Sequence, residues 1–299
     1  MLGGGVWLFR EHVLWPAPTV AFAGAEPSSG WLPFGSRRTG ALVLVEAEVA
    51  GERVGALLDS GAEYSVLDAA FADRLDLRSA FDPPMVAYGV GGAPQLARGA
   101  RADVRVGDLR LQGLSTAVLS LGPITQATGR PTPLILGQDV LQALVADIDF
   151  PNRRVRLHDP AAFPPPPGAV AAPVRREGRA LLAQVAVEGH AVEALVDTGS
   201  SSLLALTHET AQAAGLLDGR AVQSGQSVVL GGVVQGGAVQ AARFSFAGRE
   251  LVDVEVTLFP SHPVPGFPKG LLGVEAFRRD RVILDHKRGR LWLAESEAG

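Results

Sequence analysis

The sequence predicts an all-β protein, mainly strands with a few short helices, built from two homologous units in one chain. Three observations carry this. The stretch Ala56-Leu57-Leu58-Asp59-Ser60-Gly61-Ala62 returns 138 residues later as Ala194-Leu195-Val196-Asp197-Thr198-Gly199-Ser200. The composition of 36 Gly and 21 Pro with only 6% aromatics favours short strands and tight turns over long helices. The elements around the first copy then recur in the same order around the second.

Residues 1–38 show no steady period and place Gly and Pro in loop-like contexts such as Ser28-Ser29-Gly30, so they read as an N-terminal extension. The first unit spans 39–158. Its opening strand, Ala41 to Val49, alternates towards its end, with Glu46 and Glu48 on one face and Val45, Ala47 and Val49 on the other. Gly51-Glu52 turns it into the apolar strand that stops at Asp59. Ser65-Val66-Leu67-Asp68 reads as a capped helix start, followed by Leu67, Phe71 and Leu75 at helical spacing. Val86 to Gly92, Val104-Arg105-Val106 and Leu109-Arg110-Leu111 read as hairpin strands. Leu134 to Asp139 follows, and a hairpin from Ile148 to Leu157 with a Pro151-Asn152 turn closes the unit.

Residues 159–177 contain Pro164 to Pro167, which cannot donate to a sheet ladder and favour an extended linker. The second unit spans 178–296 and repeats the series. Ala180 to Glu188 opens it, Thr207 to Ala214 is its helix, Val228 to Gly232 its glycine-rich hairpin, and Ile283 to Leu293 its closing hairpin. The acid-to-glycine intervals, Asp59 to Gly137 and Asp197 to Gly273, are 78 and 76 residues.

The net charge of −4 and the absence of Arg clusters interleaved with aromatics argue against a nucleic-acid partner. With no cysteine, disulfides, thiolate catalysis and cysteine metal sites are excluded. The six histidines show no metal-ligand spacing, so no metal and no cofactor is expected. No G-x-S-x-G elbow is present. No apolar run approaches a transmembrane length, so a soluble chain is expected. Ala21-Phe22-Ala23 resembles an export cleavage site, but Arg10, Glu11 and His12 interrupt the apolar stretch before it. The compartment stays open: periplasmic or secreted if the chain is exported, cytoplasmic otherwise. Lys269 and Lys287 are the only lysines against many Arg, a bias typical of a GC-rich, bacterial genome.

Apolar pairs before Asp-[Ser/Thr]-Gly, glycine-rich hairpins, Ile135-Leu136-Gly137-Gln138-Asp139 answered by Leu271-Leu272-Gly273-Val274-Glu275, and the closing hairpins occur in one order in both halves. In this the chain resembles the retropepsin-like aspartic proteases, in a tandem, single-chain form. The resemblance implies two closed β-barrel units in a pseudo-twofold, pepsin-like bilobal arrangement. It implies an aspartic endopeptidase in which Asp59 and Asp197 activate a water against an extended peptide, in a monomer holding both half-sites. It further implies that Ser60 and Thr198 bond across to the other half's backbone, with Gly61 and Gly199 letting their N–H groups approach the carboxylates. Tyr88, Gly89, Gly91 and Gly92 in one flap, and Leu230, Gly231 and Gly232 in the other, are the expected substrate-covering residues. Glu63 departs from the family's usual Ser or Thr, and Glu275 stands where the first half has Asp139. A non-catalytic peptide-binding or protein-interaction module on the same fold is the alternative. The apolar stretch Trp31 to Phe34 is a candidate to fill the cleft until removed.

Overall fold

The computed structural model describes residues 6–9, 15–35, 40–77, 85–89, 94–229, 232–261 and 266–296. Strands β1 (Val6–Phe9), β2 (Thr19–Phe22) and β3 (Leu32–Pro33) precede the first unit. That unit contains β4 (Leu44–Val49), β5 (Glu52–Leu58), β6 (Val66–Asp68), α1 (Ala69–Arg74), β7 (Met85–Gly89), β8 (Gln95–Val106), β9 (Leu109–Leu119), α2 (Gly122–Thr128), β10 (Leu134–Leu136), α3 (Gln138–Leu141), β11 (Val145–Asp149) and β12 (Arg154–His158). After β13 (Val170–Ala171) and β14 (Val174–Glu177) come β15 (Ala180–Val187), β16 (His190–Asp197), β17 (Leu204–Thr207), α4 (His208–Ala213), β18 (Gln223–Val229), β19 (Gly232–Phe246), β20 (Arg249–Phe259), β21 (Gly270–Gly273), a 3₁₀ turn (Val274–Phe277), β22 (Arg281–Asp285) and β23 (Arg290–Ala294).

Two closed barrels result. In the first, β8, β4, β5, β10, β6 and β9 pair in sequence and β9 returns to β8. In the second, β19, β15, β16, β21, β17 and β20 do the same, closed by Val185 opposite Phe246 and Val187 opposite Phe244. The alternating pattern explains the closure. Val45, Ala47 and Val49 are buried while Glu46 is exposed, so one face of each strand fills the barrel.

The closing hairpins do not stay within their own units. Val145–Asp149 of β11 lies antiparallel to Arg281–Asp285 of β22, and the two hairpins form the centre of one six-stranded sheet ordered β13-β23-β22-β11-β12-β3. Asp147, buried at this junction, receives both Nε and Nη2 of Arg281 at 2.8 Å. Burial alone would raise its pKa, but Arg281 and His158 outweigh that and hold the carboxyl below its ordinary value. Trp31 lies under the guanidinium groups of Arg154, Arg156 and Arg281 at 4.4, 4.5 and 5.4 Å.

Four expectations change here. Residues read as a simple extension contribute strands: β2 pairs with β9, β3 with β12, and β1 with β7. Leu32-Pro33 is therefore held in the six-stranded sheet and Phe34 in the core, which removes the stretch Trp31 to Phe34 as a cleft-filling segment. The Pro-rich linker carries β13 and β14, paired with β23 and β15. The helix does not start at Ser65. Val66–Asp68 is a strand, because its apolar residues pair with β10 and β9, and Asp68 caps the helix by accepting from Phe71 N at 3.1 Å.

Candidate active site

Each acid sits at the end of a buried strand running parallel to a second apolar strand. Ala56, Leu57 and Leu58 lie opposite Leu134, Ile135 and Leu136, and Leu195, Val196 and Asp197 lie opposite Leu271, Leu272 and Gly273. The glycines at those second strands admit the loops that follow each acid. A Cβ on Gly137 would stand 2.7 Å from the Tyr64 carbonyl carbon.

The two loops meet across the pseudo-twofold. Thr198 Oγ1 donates to Leu58 O at 2.7 Å and accepts from Ser60 N at 2.9 Å. In return, Ser60 Oγ donates to Val196 O at 2.7 Å and accepts from Thr198 N at 3.0 Å. All four partners are buried, so these bonds hold the loops in one relative position. Gly61 N donates to Asp59 Oδ1 at 2.9 Å, Ala62 N to the same oxygen at 3.0 Å, and Gly199 N to Asp197 Oδ1 at 2.9 Å. A Cβ on Gly61 would lie 2.5 Å from Asp197 Cγ, and one on Gly199 would lie 2.4 Å from Asp59 Cγ. Only hydrogen fits there, and each glycine lets the opposite carboxyl come close.

Asp59 and Asp197 thus face one another, almost wholly shielded. Desolvation first, then the neighbouring Asp59 charge and hydrogen bond, raise the Asp197 pKa well above the ordinary carboxyl value. Two carboxyls held this close and this dry resist ionising together. Backbone N–H groups meet both carboxyls, those of Gly61 and Ala62 at Asp59 and those of Gly199 and Ser200 at Asp197.

Several further residues frame this pair. Gln138 Nε2 donates to Ser60 O at 2.8 Å and supports the first loop from behind. Ser65 Oγ donates to Asp139 at 2.8 Å and accepts from Gly137 N. Burial, despite these bonds, raises Asp139 to about 6. Glu63, the departure noted above, reaches the other unit: Arg179 Nη2 lies 3.4 Å from its carboxylate, and the guanidinium covers Tyr64 at 4.3 Å. Arg179 is held in turn by buried His286, whose Nδ1 lies 2.9 Å from Arg179 O. The counterpart of Glu63 in the second unit is Ser201, so the two halves differ here. Glu275 also differs from Asp139, pairing with Arg278 at 2.9 Å near the surface. A Gly178-Arg179 turn just before a strand gave no sequence cue to this role, since its partner is 116 residues away.

Of the expected flap residues, Tyr88 lies on β7 and packs against the second unit's cluster of Ala180, Leu195, Ala205, Phe259, Phe267 and Leu271. Gly89 is buried and pairs with Val6, and Gly232 closes the β18–β19 hairpin opposite Val229. Gly91, Gly92, Leu230 and Gly231 lie outside the described residues. A cavity of about 770 Å³ runs from Glu63 and Arg179 along Leu182, Leu195 and Phe267. Neither Asp59 nor Asp197 lines it. Among the described residues, no group of His, Asp and Glu is arranged to hold a metal.

Over 119 residues the chain is 33% identical to UBA domain-containing protein Mud1 of Schizosaccharomyces pombe, covering 39% of this chain and 33% of that protein. It is 29% identical over 120 residues to DNA damage-inducible protein 1 of Kluyveromyces lactis, covering 40% and 27%. The chain therefore spans about a third or less of the length of these relatives. A solved retropepsin-like aspartic protease from Rickettsia conorii aligns with 43% of this chain and 91% of its own, at 20% identity and a TM-score of 0.33. The family model described as aspartyl protease matches twice, over residues 45–140 and 183–276, once in each barrel. With both copies matched and most of the chain covered, this protein belongs to the aspartyl protease family.

Proposed function

We propose that the chain is an aspartic endopeptidase that hydrolyses peptide bonds in extended polypeptide segments, with Asp59 and Asp197 as its catalytic pair. The observation that carries this reading is the pair of facing carboxyls, locked by the crossed Ser60 and Thr198 hydrogen bonds, with burial and the Asp59 charge raising the Asp197 pKa. The ionised acid draws a proton from a water between the two side chains. The protonated acid hydrogen-bonds the scissile carbonyl, and the tetrahedral diol collapses as the leaving amine is protonated. The wall of Ala180, Leu182, Leu195 and Phe267 supports a preference for apolar side chains near the cleaved bond.

Hydrolysis of a mixed peptide library from about pH 3 to 7 tests the reading. Asp59→Asn and Asp197→Asn should each lower the rate by about a hundredfold or more while the folded baseline is retained. Activity should fall as pH rises far enough to remove the shared proton. Unchanged cleavage in either variant refutes the assignment. Peptide binding without cleavage by the wild type would instead establish a binding module.

A further inference from the structure

The two barrels carry the same β-hairpin next to different surroundings. In the first, β8 and β9 turn at Gly107-Asp108, and the outer edge of β9 is covered by β2, with Phe22 opposite Leu109 and Thr19 opposite Gln112. Leu109 and Leu111 are completely buried. In the second, β19 and β20 turn at Ala247-Gly248, and the far end of β20 pairs with β17 as the far end of β9 pairs with β6. Yet the Arg249–Val252 edge of β20 has no strand against it among the described residues. The second unit has no equivalent of β2, because the corresponding stretch of chain is already the end of β12.

An open groove of about 880 Å³ lies along that edge, floored by Leu203, Phe244, Phe246, Leu251 and Ala276. The pair that flanks a two-residue turn exchanges both of its backbone bonds, and such pairs alternate along an antiparallel ladder. Since Phe246 and Arg249 flank the turn, Arg249 and Leu251 bond to β19, while Glu250 and Val252 direct their N–H and C=O groups into the groove. Val252 is 64% exposed. An unpaired edge of this kind is a template for strand addition. At the rim, Arg249 is neutralised by Asp280 and Arg278 by Glu275. Among the described residues that line the groove, Glu250, Asp253 and Glu295 are then balanced by Arg279 alone, which leaves the lining acidic.

We propose that the β20 edge docks an extended segment of a partner protein by strand addition. The segment would carry apolar side chains at alternate positions and basic residues at its flanks. The first barrel shows the mode, with β2 as the built-in occupant of the equivalent edge.

The probe is a fluorescein-labelled peptide with the β2 sequence and a lysine at each end, titrated into full-length Asp59→Asn protein and followed by anisotropy. Saturable binding that weakens with added salt is expected. Val252→Pro removes one edge donor without removing a bond to β19, and should weaken binding about tenfold at an unchanged melting temperature. A probe N-methylated at alternate amides gives the same test without altering the protein, and it should not bind. Absence of binding, or binding unaffected by both changes, overturns the proposal. A wild-type dimer that Val252→Pro converts to monomer also overturns it, since the occupant would then be a second copy.

Discussion

At the scale of single residues, the acid-bearing loops depend on groups whose chemistry is set by shielding. Asp139 binds its proton up to about pH 6 in the folded chain, whereas an unfolded chain releases it near 3.8. Between those values the folded state holds more protons, so stability contributed by this site is lost as pH rises through the window. Asp139→Asn should therefore flatten the fall in melting temperature between about pH 4 and 6, an effect of at most about 3 kcal/mol. Thermal melts of both proteins across that range check it, and identical profiles would rule it out. The acids themselves were legible in the sequence because duplication marks them. Glu63 was visible as a departure, but its partner Arg179 was not, because a salt bridge between barrels leaves no local pattern.

At the scale of elements, the six-stranded sheet joins the units through a buried ion pair. Arg281→Met leaves Asp147 shielded and uncompensated, with only His158 at 3.5 Å, and should destabilise the protein by about 3–5 kcal/mol. Adding Asp147→Leu to that variant should restore most of the loss, since no charge then remains buried. Urea denaturation of the single and double variants measures both, and a double variant as weak as the single would contradict the account. Strong alternation made the barrel strands readable, as in Leu44–Val49 and Ala180–Val187. The short strands were not. Thr19–Phe22 and Leu32–Pro33 hold four and two residues, too few to display a period, and exist because neighbouring edges accept them. Ser65 misled for a related reason: its hydroxyl satisfies Asp139 and Gly137 instead of a helix end.

At the scale of the whole molecule, the covalent link between barrels matters less than the surfaces they share. Residues 164–168 are exposed or half-exposed, whereas the β11–β22 pairing and the crossed hydroxyl bonds lie inside. A chain with a specific protease site inserted between Pro167 and Gly168 should, once cut, still elute as one particle and melt in one transition. Size-exclusion chromatography and calorimetry read this directly, and separated halves would show the linker to be the main tie. The two units were legible from the repeated motif and the matching intervals, and their bilobal pairing from the family resemblance, but the shared sheet was not, because each closing hairpin looks self-sufficient in sequence. The crossed threonine and serine bonds also act as an interlock. A lone half would leave the Ser60 or Thr198 amide and hydroxyl facing no counterpart, with a single acid beside them. A chain caught midway through synthesis therefore lacks the paired acids, and the proposed site is complete only when the last barrel has folded.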